Sequence, residues 1–347
     1  MVLITGAPGW LGTRLVRVMV DGLPGTPELT SRYSEQKIRC FVLKGTDAEV
    51  LRQISSEIEL VTGDVRDIAS LEPFFEGAEG ATLFQLVGII HPKRVRDFYA
   101  INAEGTRNVL NAAIKAGVKR AIVVSSNSPI GCNPDNEHLF DENSPYNPYM
   151  NYGKSKKLAE DIVNETAQSG KIETVILRMC WFYGPDQPPR QTEFFKMIKQ
   201  GKAPIVGDGN NKRSMSYVDN SCQGLFLADQ VEQAKGQTYW IADRYPYTMN
   251  EIVDTIERLL ENEFGMEVAH KRMRVPGFFS EIALAFDQII QGIGRYHQKI
   301  HVLSEMNKTI ACSIAKAERQ LSYAPQVELE EGMKRSITWC LDNGFSI

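Results

Sequence analysis

Along the first half of the chain, short apolar runs alternate with stretches of helical period, and that alternation restricts the fold more than any other feature. The runs fall at residues 2–4, 38–43, 58–62, 81–88, 121–126 and 174–178, with a late one at 237–241. Nearly continuous apolar strands separated by helices predict a parallel sheet covered on both faces. Ligands of such sheets bind beyond the carboxyl ends of the strands. After Gly184-Pro185 the regularity is lost. Residues 186–209 read as an inserted lobe around a short helix at 193–200, and from Asn250 onward the chain is mainly helical. The expected division is 1–185, with 214–242 returning to the sheet, and a smaller, mainly helical substrate lobe over 186–347.

The first strand passes into Thr5-Gly6-Ala7-Pro8-Gly9-Trp10-Leu11-Gly12, followed by Leu15, Val16 and Met19 at helical spacing. Gly6 suits the tight turn, Gly9 lets backbone N–H groups approach a pyrophosphate, and Gly12 allows close packing of helix on strand. This predicts a Rossmann-type, doubly wound dinucleotide-binding fold. The second strand ends in Val42-Leu43-Lys44 rather than in the acid that would hold the adenosine ribose of NAD. Lys44 could pair with a 2′-phosphate, which tilts the expectation from NAD towards NADP, and a solvated turn lysine is the plain alternative. Residues 21–37 read as a long surface loop, and Tyr217-Val218-Asp219-Asn220 as an Asx-type cap on a helix over 221–229.

Asn151-Tyr152-Gly153-Lys154-Ser155-Lys156 opens a helix in which Leu158, Ala159, Ile162 and Val163 form one apolar face. Tyr152 and Lys156 then lie one turn apart on the same side. A nearby ammonium favours the phenolate, so the phenol is expected below its ordinary pKa of about 10 and able to trade a proton near neutrality. Two fixed positions are weak evidence alone; they gain weight from the glycine turn and from Ser125-Ser126 at the end of the fifth strand.

With 43% apolar residues in 347, the chain can bury a sizeable core. The net charge of −4, with scattered basic residues, gives no electrostatic footprint for nucleic acid. Six cysteines lie far apart without a Cys-x-x-Cys pair, so neither a disulfide framework nor a metal site is suggested, and a reducing, cytoplasmic compartment is expected. No signal peptide is evident. The greasy segment 278–286 is too short and too charged to span a bilayer and is expected to be a core or pocket-lining helix. His91 and His138 read as lone loop or surface histidines.

These motifs together resemble the extended short-chain dehydrogenase/reductase superfamily, which includes sugar-nucleotide epimerases and 3β-hydroxysteroid dehydrogenases. The match runs nearly end to end. Its Thr-Gly-x-x-Gly-x-x-Gly falls on Thr5, Gly6, Gly9 and Gly12, and its adenine contact on Asp64 and Val65. Its Asn-x-x-Gly-Thr-x-Asn falls on Asn102, Gly105, Thr106 and Asn108, its catalytic serine on Ser126 before Gly131, and its Tyr-x-x-x-Lys on Tyr152 and Lys156. The resemblance implies catalytic Ser126, Tyr152 and Lys156. It implies cofactor contacts from Gly6, Gly9, Trp10, Leu11, Gly12, Lys44, Asp64, Val65, Leu86, Val87, Tyr152, Lys156 and Met179, and substrate contacts from Ser126, Trp181 and Arg213.

The chain departs from the pattern at Gln85, where the family usually has histidine, and at Val87-Gly88, where it has alanines. Trp181 stands where sugar-nucleotide epimerases place an asparagine, while Phe182-Tyr183-Gly184-Pro185 looks like the sterol branch. Arg213 sits where epimerases contact phosphate. The leading expectation is therefore an NAD(P)-dependent oxidoreductase of a hydrophobic, sterol-like alcohol or ketone, with a nucleotide-sugar epimerase or dehydratase as the alternative. A non-catalytic dinucleotide sensor is the distant third, since such relatives commonly lose a tyrosine or lysine that is present here. The family's habit of pairing long helices makes a homodimer an expectation by analogy.

Overall fold

The computed structural model describes residues 1–347. Its central sheet holds seven parallel strands: β1 (Val2–Thr5), β2 (Ile38–Leu43), β3 (Glu59–Gly63), β4 (Thr82–Gln85), β5 (Arg120–Ser126), β6 (Glu173–Met179) and β7 (Thr238–Ile241). Their order is β7-β6-β5-β4-β1-β2-β3. The longer helices are α1 (Trp10–Asp21), α2 (Gly105–Lys115), α3 (Met150–Gln168), α4 (Pro189–Lys199), α5 (Val218–Gln230), α6 (Met249–Asn262), α7 (Phe278–Gly292), α8 (Gln298–Glu305) and α9 (Leu329–Asp342).

The strands lack a polar face because each side of the sheet is covered. Val2, Ile4, Ile122, Val175 and Leu177 enter one core cluster, and the intervening Leu3, Ala121, Val123 and Ile176 enter another. Alternate side chains of a strand point to opposite faces, so an apolar run without alternation is what a doubly covered sheet requires. Strand order reverses between β1 and β4, which opens a crevice at their carboxyl ends. A third cluster lies beyond the sheet, where Tyr183, Phe195, Tyr217, Ile252, Ile256, Met333 and Ile337 join α4, α6 and α9. There α6 starts with a reciprocal capping box between Thr248 and Glu251.

Three local expectations are corrected. The fourth strand stops at Gln85 rather than Gly88, because Thr5 Oγ1 donates to Gln85 Oε1 at 2.6 Å and then accepts the Leu86 and Val87 N–H groups. Those amides leave the ladder for a side chain. The loop at 21–37 is anchored: Tyr33 is buried against Phe84 and Phe226 and donates to Asp229 at 2.6 Å. Finally, α5 begins at Val218 with no side-chain cap, and Asp219, inside its first turn, accepts Arg14 of α1 instead. The charge of Arg14 outbid the helix terminus for that carboxylate.

Candidate active site

The chain leaves β1 through Gly6, whose φ of +81° suits glycine and whose added Cβ would stand 2.7 Å from the Leu86 carbonyl carbon. A Cβ on Gly12 would meet the Gly6 oxygen at 2.7 Å and the Ala7 nitrogen at 2.9 Å, so α1 can approach the end of β1 only with glycine there. Gly9 is required by the turn itself, because its Cβ would strike the same Gly6 oxygen at 2.7 Å. It is also the N-cap of α1, with no side-chain cap and no acid in the first turn. The first N–H groups of a helix have no internal partners and carry the positive end of its dipole. Bare amides at the carboxyl edge of the sheet, in a cradle that any Cβ would fill, fit a dinucleotide's pyrophosphate.

The other expected cofactor contacts spread along that edge. Leu11 is buried, while the Trp10 indole turns away to donate to the Pro185 carbonyl at 2.6 Å and packs edge-on against Phe182. The Asp64 carboxylate is held by Arg66, which keeps it below the ordinary carboxylate range. Val65 is buried against Gly105, where a Cβ would stand 2.7 Å from it, and its carbonyl accepts Asn108 Nδ2 at 3.0 Å. Lys44 is exposed at the end of β2 with no ion-pair partner. Leu86 and Val87 hang from Thr5, and Met179 closes β6, buried.

Ser126 ends β5, and α3 brings Tyr152 and Lys156 to the same edge. A Cβ on Gly153 would stand 2.5 Å from the Ser128 carbonyl oxygen, so the missing side chain sets how closely α3 seats against the segment after β5. Asn102, in a π-helical turn entering α2, locks the arrangement. It exchanges hydrogen bonds with the Ile89 backbone at 2.8 and 3.1 Å and donates to Ser155 at 3.0 Å. Lys156 is buried and donates to the Val124 carbonyl at 2.8 Å; burial pulls its pKa down to about 8.

The tyrosine departs from expectation. Burial raises the Tyr152 phenol above its ordinary range, and the Ser126 hydroxyl, which opposes the rise, does not outweigh it. The Lys156 ammonium, engaged by Val124, does not draw the phenol down in the free protein. Ser126 itself also donates towards Asn127 at 3.2 Å.

Of the expected substrate contacts, Trp181 packs on Phe194 of α4, and Arg213 donates to the Glu305 carbonyl while its buried Nε has no partner. A cleft of about 820 Å³ opens beside the start of α3, lined among others by Asn133, Asn151, Lys154, Gln288 and Lys308. Sequence reasoning missed what supports it. Gln291 of α7 accepts from Asn151 at 2.8 Å and donates to Asp287 at 2.9 Å, and Asp287 pairs with His301 at 2.7 Å. Burial pulls His301 down, yet the Asp287 carboxylate outweighs it and holds the imidazole above its ordinary pKa. His91 is half-buried, bonded to Tyr296 at 2.8 Å, and burial lowers it to about 4. These polar residues sit inside apolar or loop sequence without a motif, so no spacing rule flags them.

A dinucleotide cradle at the switch point and a Tyr-x-x-x-Lys helix facing a strand-end serine define an NAD(P)-dependent enzyme of the extended short-chain dehydrogenase/reductase type. Within that class the chain belongs to the 3-beta hydroxysteroid dehydrogenase/isomerase family, whose model matches residues 3–275. It is 50% identical over 347 residues to the uncharacterized protein y4nL of Sinorhizobium fredii, covering 100% of this chain and 96% of that one. It is 31% identical over 264 residues to the N-acetyl-alpha-D-glucosaminyl-diphospho-ditrans,octacis-undecaprenol 4-epimerase of Escherichia coli O157:H7, covering 76% and 73%. The dTDP-glucose 4,6-dehydratase DesIV of Streptomyces venezuelae, solved with NAD bound, superposes with a TM-score of 0.72 at 24% identity over 99% of this chain and 97% of that one. That last likeness is one of fold. No helix is long and apolar enough to cross a membrane.

Proposed function

We propose that the protein interconverts a secondary alcohol and a ketone on a sugar carried by a diphosphate, with Tyr152 as the proton-handling group. The observation that carries the reading is the convergence of Ser126, Tyr152 and Lys156 at the carboxyl edge, beside a cleft where the amides and ammonium of Asn133, Asn151, Gln288 and Lys154 mix with apolar Met150 and Leu284. When bound, the nicotinamide would accept hydride from the carbinol carbon or return it. Gly6, Gly9, Leu11 and Gly12 would hold its pyrophosphate by backbone, Asp64 and Val65 its adenine, and Leu86, Val87 and Met179 the nicotinamide half. Trp10 would contribute through its backbone alone, its indole being committed to Pro185.

Tyr152 takes the hydroxyl proton on oxidation and gives it back on reduction, at the phenol oxygen. Ser126 donates to the reacting oxygen and fixes its orientation. Lys156, with a pKa near 8 and its ammonium on Val124, is placed to exchange that carbonyl for the cofactor's ribose hydroxyls. Exposed and unpaired, Lys44 supports NADP over NAD. The unit that binds the cofactor would be residues 1–185 with 214–242, and 186–347 the substrate lobe.

The sugar reading is favoured over a sterol because, of the apolar groups that pointed to a hydrophobic substrate, only Leu284 lines this cleft. Trp181 lies on Phe194, and Phe278, Phe279, Ile282, Phe286 and Ile289 of α7 are exposed. Lys154 on the cleft suits phosphate instead, while Lys308 beside it is paired with Glu281 and the buried, unpartnered Nε of Arg213 lies outside the lining. The undecaprenyl-diphosphate sugar named for the E. coli relative combines both demands, and the cofactor would then be retained through epimerisation. Oxidation of a 3-hydroxysterol is the second reading, favoured by the family itself. A cytosolic, homodimeric enzyme is consistent with six free thiols and long surface helices.

Incubation with NAD or NADP and a polyprenyl-diphosphate N-acetylhexosamine separates the two. Appearance of the 4-epimer without net reduced cofactor supports the sugar reading. Steady reduction of cofactor with a 3-hydroxysterol, and no epimer, overturns it.

A further inference from the structure

The segment 278–286, expected as a core or pocket-lining helix, does line the cleft through Leu284, but it is not a core helix, since most of its apolar side chains are exposed. Helix α7 is set with its polar face inward. Ser280, Asp287 and Gln291 are buried, and each is held by hydrogen bonds: Ser280 donates to the Leu303 and Ser304 carbonyls at 2.9 Å, Asp287 pairs with His301 through Oδ2, and Gln291 bridges Asp287 and Asn151. At 100° per residue, Phe278, Ile282, Phe286, Ile289 and Ile293 fall on one opposite stripe. All five are exposed; Phe286 is 57% accessible, Ile289 64% and Ile293 71%. The inward hydrogen bonds fix the helix in this rotation, so the apolar stripe is not a core face left uncovered by chance. It also lies beyond residue 275, where the match to the family ends.

Basic residues flank the stripe at both ends. Beside its carboxyl end, Val95 N–H donates to the Gly294 carbonyl at 3.0 Å and Arg94 bridges Arg295 backbone to backbone. This sets two exposed arginines side by side, with Lys93, Arg96 and Lys299 exposed nearby. Neither Arg94 nor Arg295 has a carboxylate partner. At the amino end, Lys271 and Arg274 are exposed, and Arg274 reaches only the Asp208 carbonyl.

We infer that the outward face of α7 docks the protein on an anionic lipid bilayer, its isoleucines and phenylalanines entering the acyl boundary and the flanking basic residues meeting the headgroups. An in-plane helix bound by apolar area and by attraction to anionic lipid needs these two features together. A second copy of the chain is the poorer occupant. An isologous contact lays a patch on itself; with basic clusters at both ends of α7, either direction of helix crossing sets like charges against each other. The inference does not depend on which alcohol is oxidised, since the stripe faces away from the cleft residues Leu284, Gln288 and Gln291.

The test is co-sedimentation of the full chain with vesicles of phosphatidylglycerol and, separately, of phosphatidylcholine. Wild type is expected to pellet about tenfold more with the anionic vesicles at low salt and to be released by high salt. The variant Ile282→Ser/Phe286→Ser/Ile289→Ser is expected to stay in the supernatant with an unchanged melting temperature. Arg94→Glu/Arg295→Glu, which leaves the stripe intact, should lose the preference for anionic lipid. Equal recovery of wild type in the supernatant with both vesicles overturns the inference. So does a wild-type dimer that the triple serine variant splits and that does not bind vesicles.

Discussion

Helices α3 and α7 follow the same amphipathic arithmetic and are mounted opposite ways round. In α3, Ala159, Ile162 and Val163 are buried against the sheet, and Tyr152 and Lys156 reach the carboxyl edge from the same turn. In α7, Ser280, Asp287 and Gln291 are buried, and Phe278, Ile282, Phe286 and Ile289 are exposed. The period of a sequence tells that a helix has a stripe; which side faces the protein is decided by what the neighbours offer. The sheet offers α3 apolar surface. The neighbours of α7 offer His301, Asn151 and two backbone carbonyls, and a buried carboxylate such as Asp287 is tolerated only with such partners.

The largest expected effect breaks the functional side of this contrast. Tyr152→Phe should lower turnover by about 10²- to 10⁴-fold, the usual contribution of a positioned acid or base. Its melting temperature and its cofactor affinity should be unchanged; retained activity would remove Tyr152 from the proton path. On the structural side, Asp287→Ala leaves His301 and Gln291 without their partner and should cost about 3–5 kcal/mol. Hydrogen exchange should then show α7 and α8 losing protection while the sheet keeps it. Loss spread evenly over both regions would mean that the lobe has no anchor of its own.

The same pair gives a pH signature. Because His301 is held above its ordinary pKa, its contribution is fully present below about 6.5, the unfolded value, and is lost as pH rises through the folded value. Stability of the lobe should therefore fall across that window, and His301→Gln should flatten the profile. A stability that rises over the same range contradicts the pairing. Smallest of all, Phe286→Ser in the absence of lipid should change stability by no more than about 0.5 kcal/mol, because an exposed side chain away from special contacts carries little. A large loss in chemical denaturation would show that the stripe is covered in solution.

The two regions were also unequally legible. At the sheet, the glycine turn and the apolar runs are local rules with one solution each: Gly6 and Gly12 are fixed by backbone approach, and strands without a polar face must be covered twice. The site residues Ser126, Tyr152 and Lys156 stood out by their order along the chain. Their electrostatics did not, since burial of the phenol and capture of Lys156 by the Val124 carbonyl depend on distant elements. Gln85 read as a mere departure and is the partner that ends β4. In the lobe, Asp287 interrupts an apolar segment and finds its partner only when α8 brings His301 to it. Long-range polar pairs leave no period in the sequence.

The central claim is that a carbinol hydrogen leaves as hydride while Tyr152 handles the proton. It is tested most directly by single-turnover absorbance at the reduced-nicotinamide band, using substrate carrying hydrogen or deuterium at the reacting carbon. The band should grow, lasting for a dehydrogenase and transient for an epimerase, and should grow more slowly with deuterium. Product formed with no band at any time, and at the same rate for both isotopes, would contradict the account.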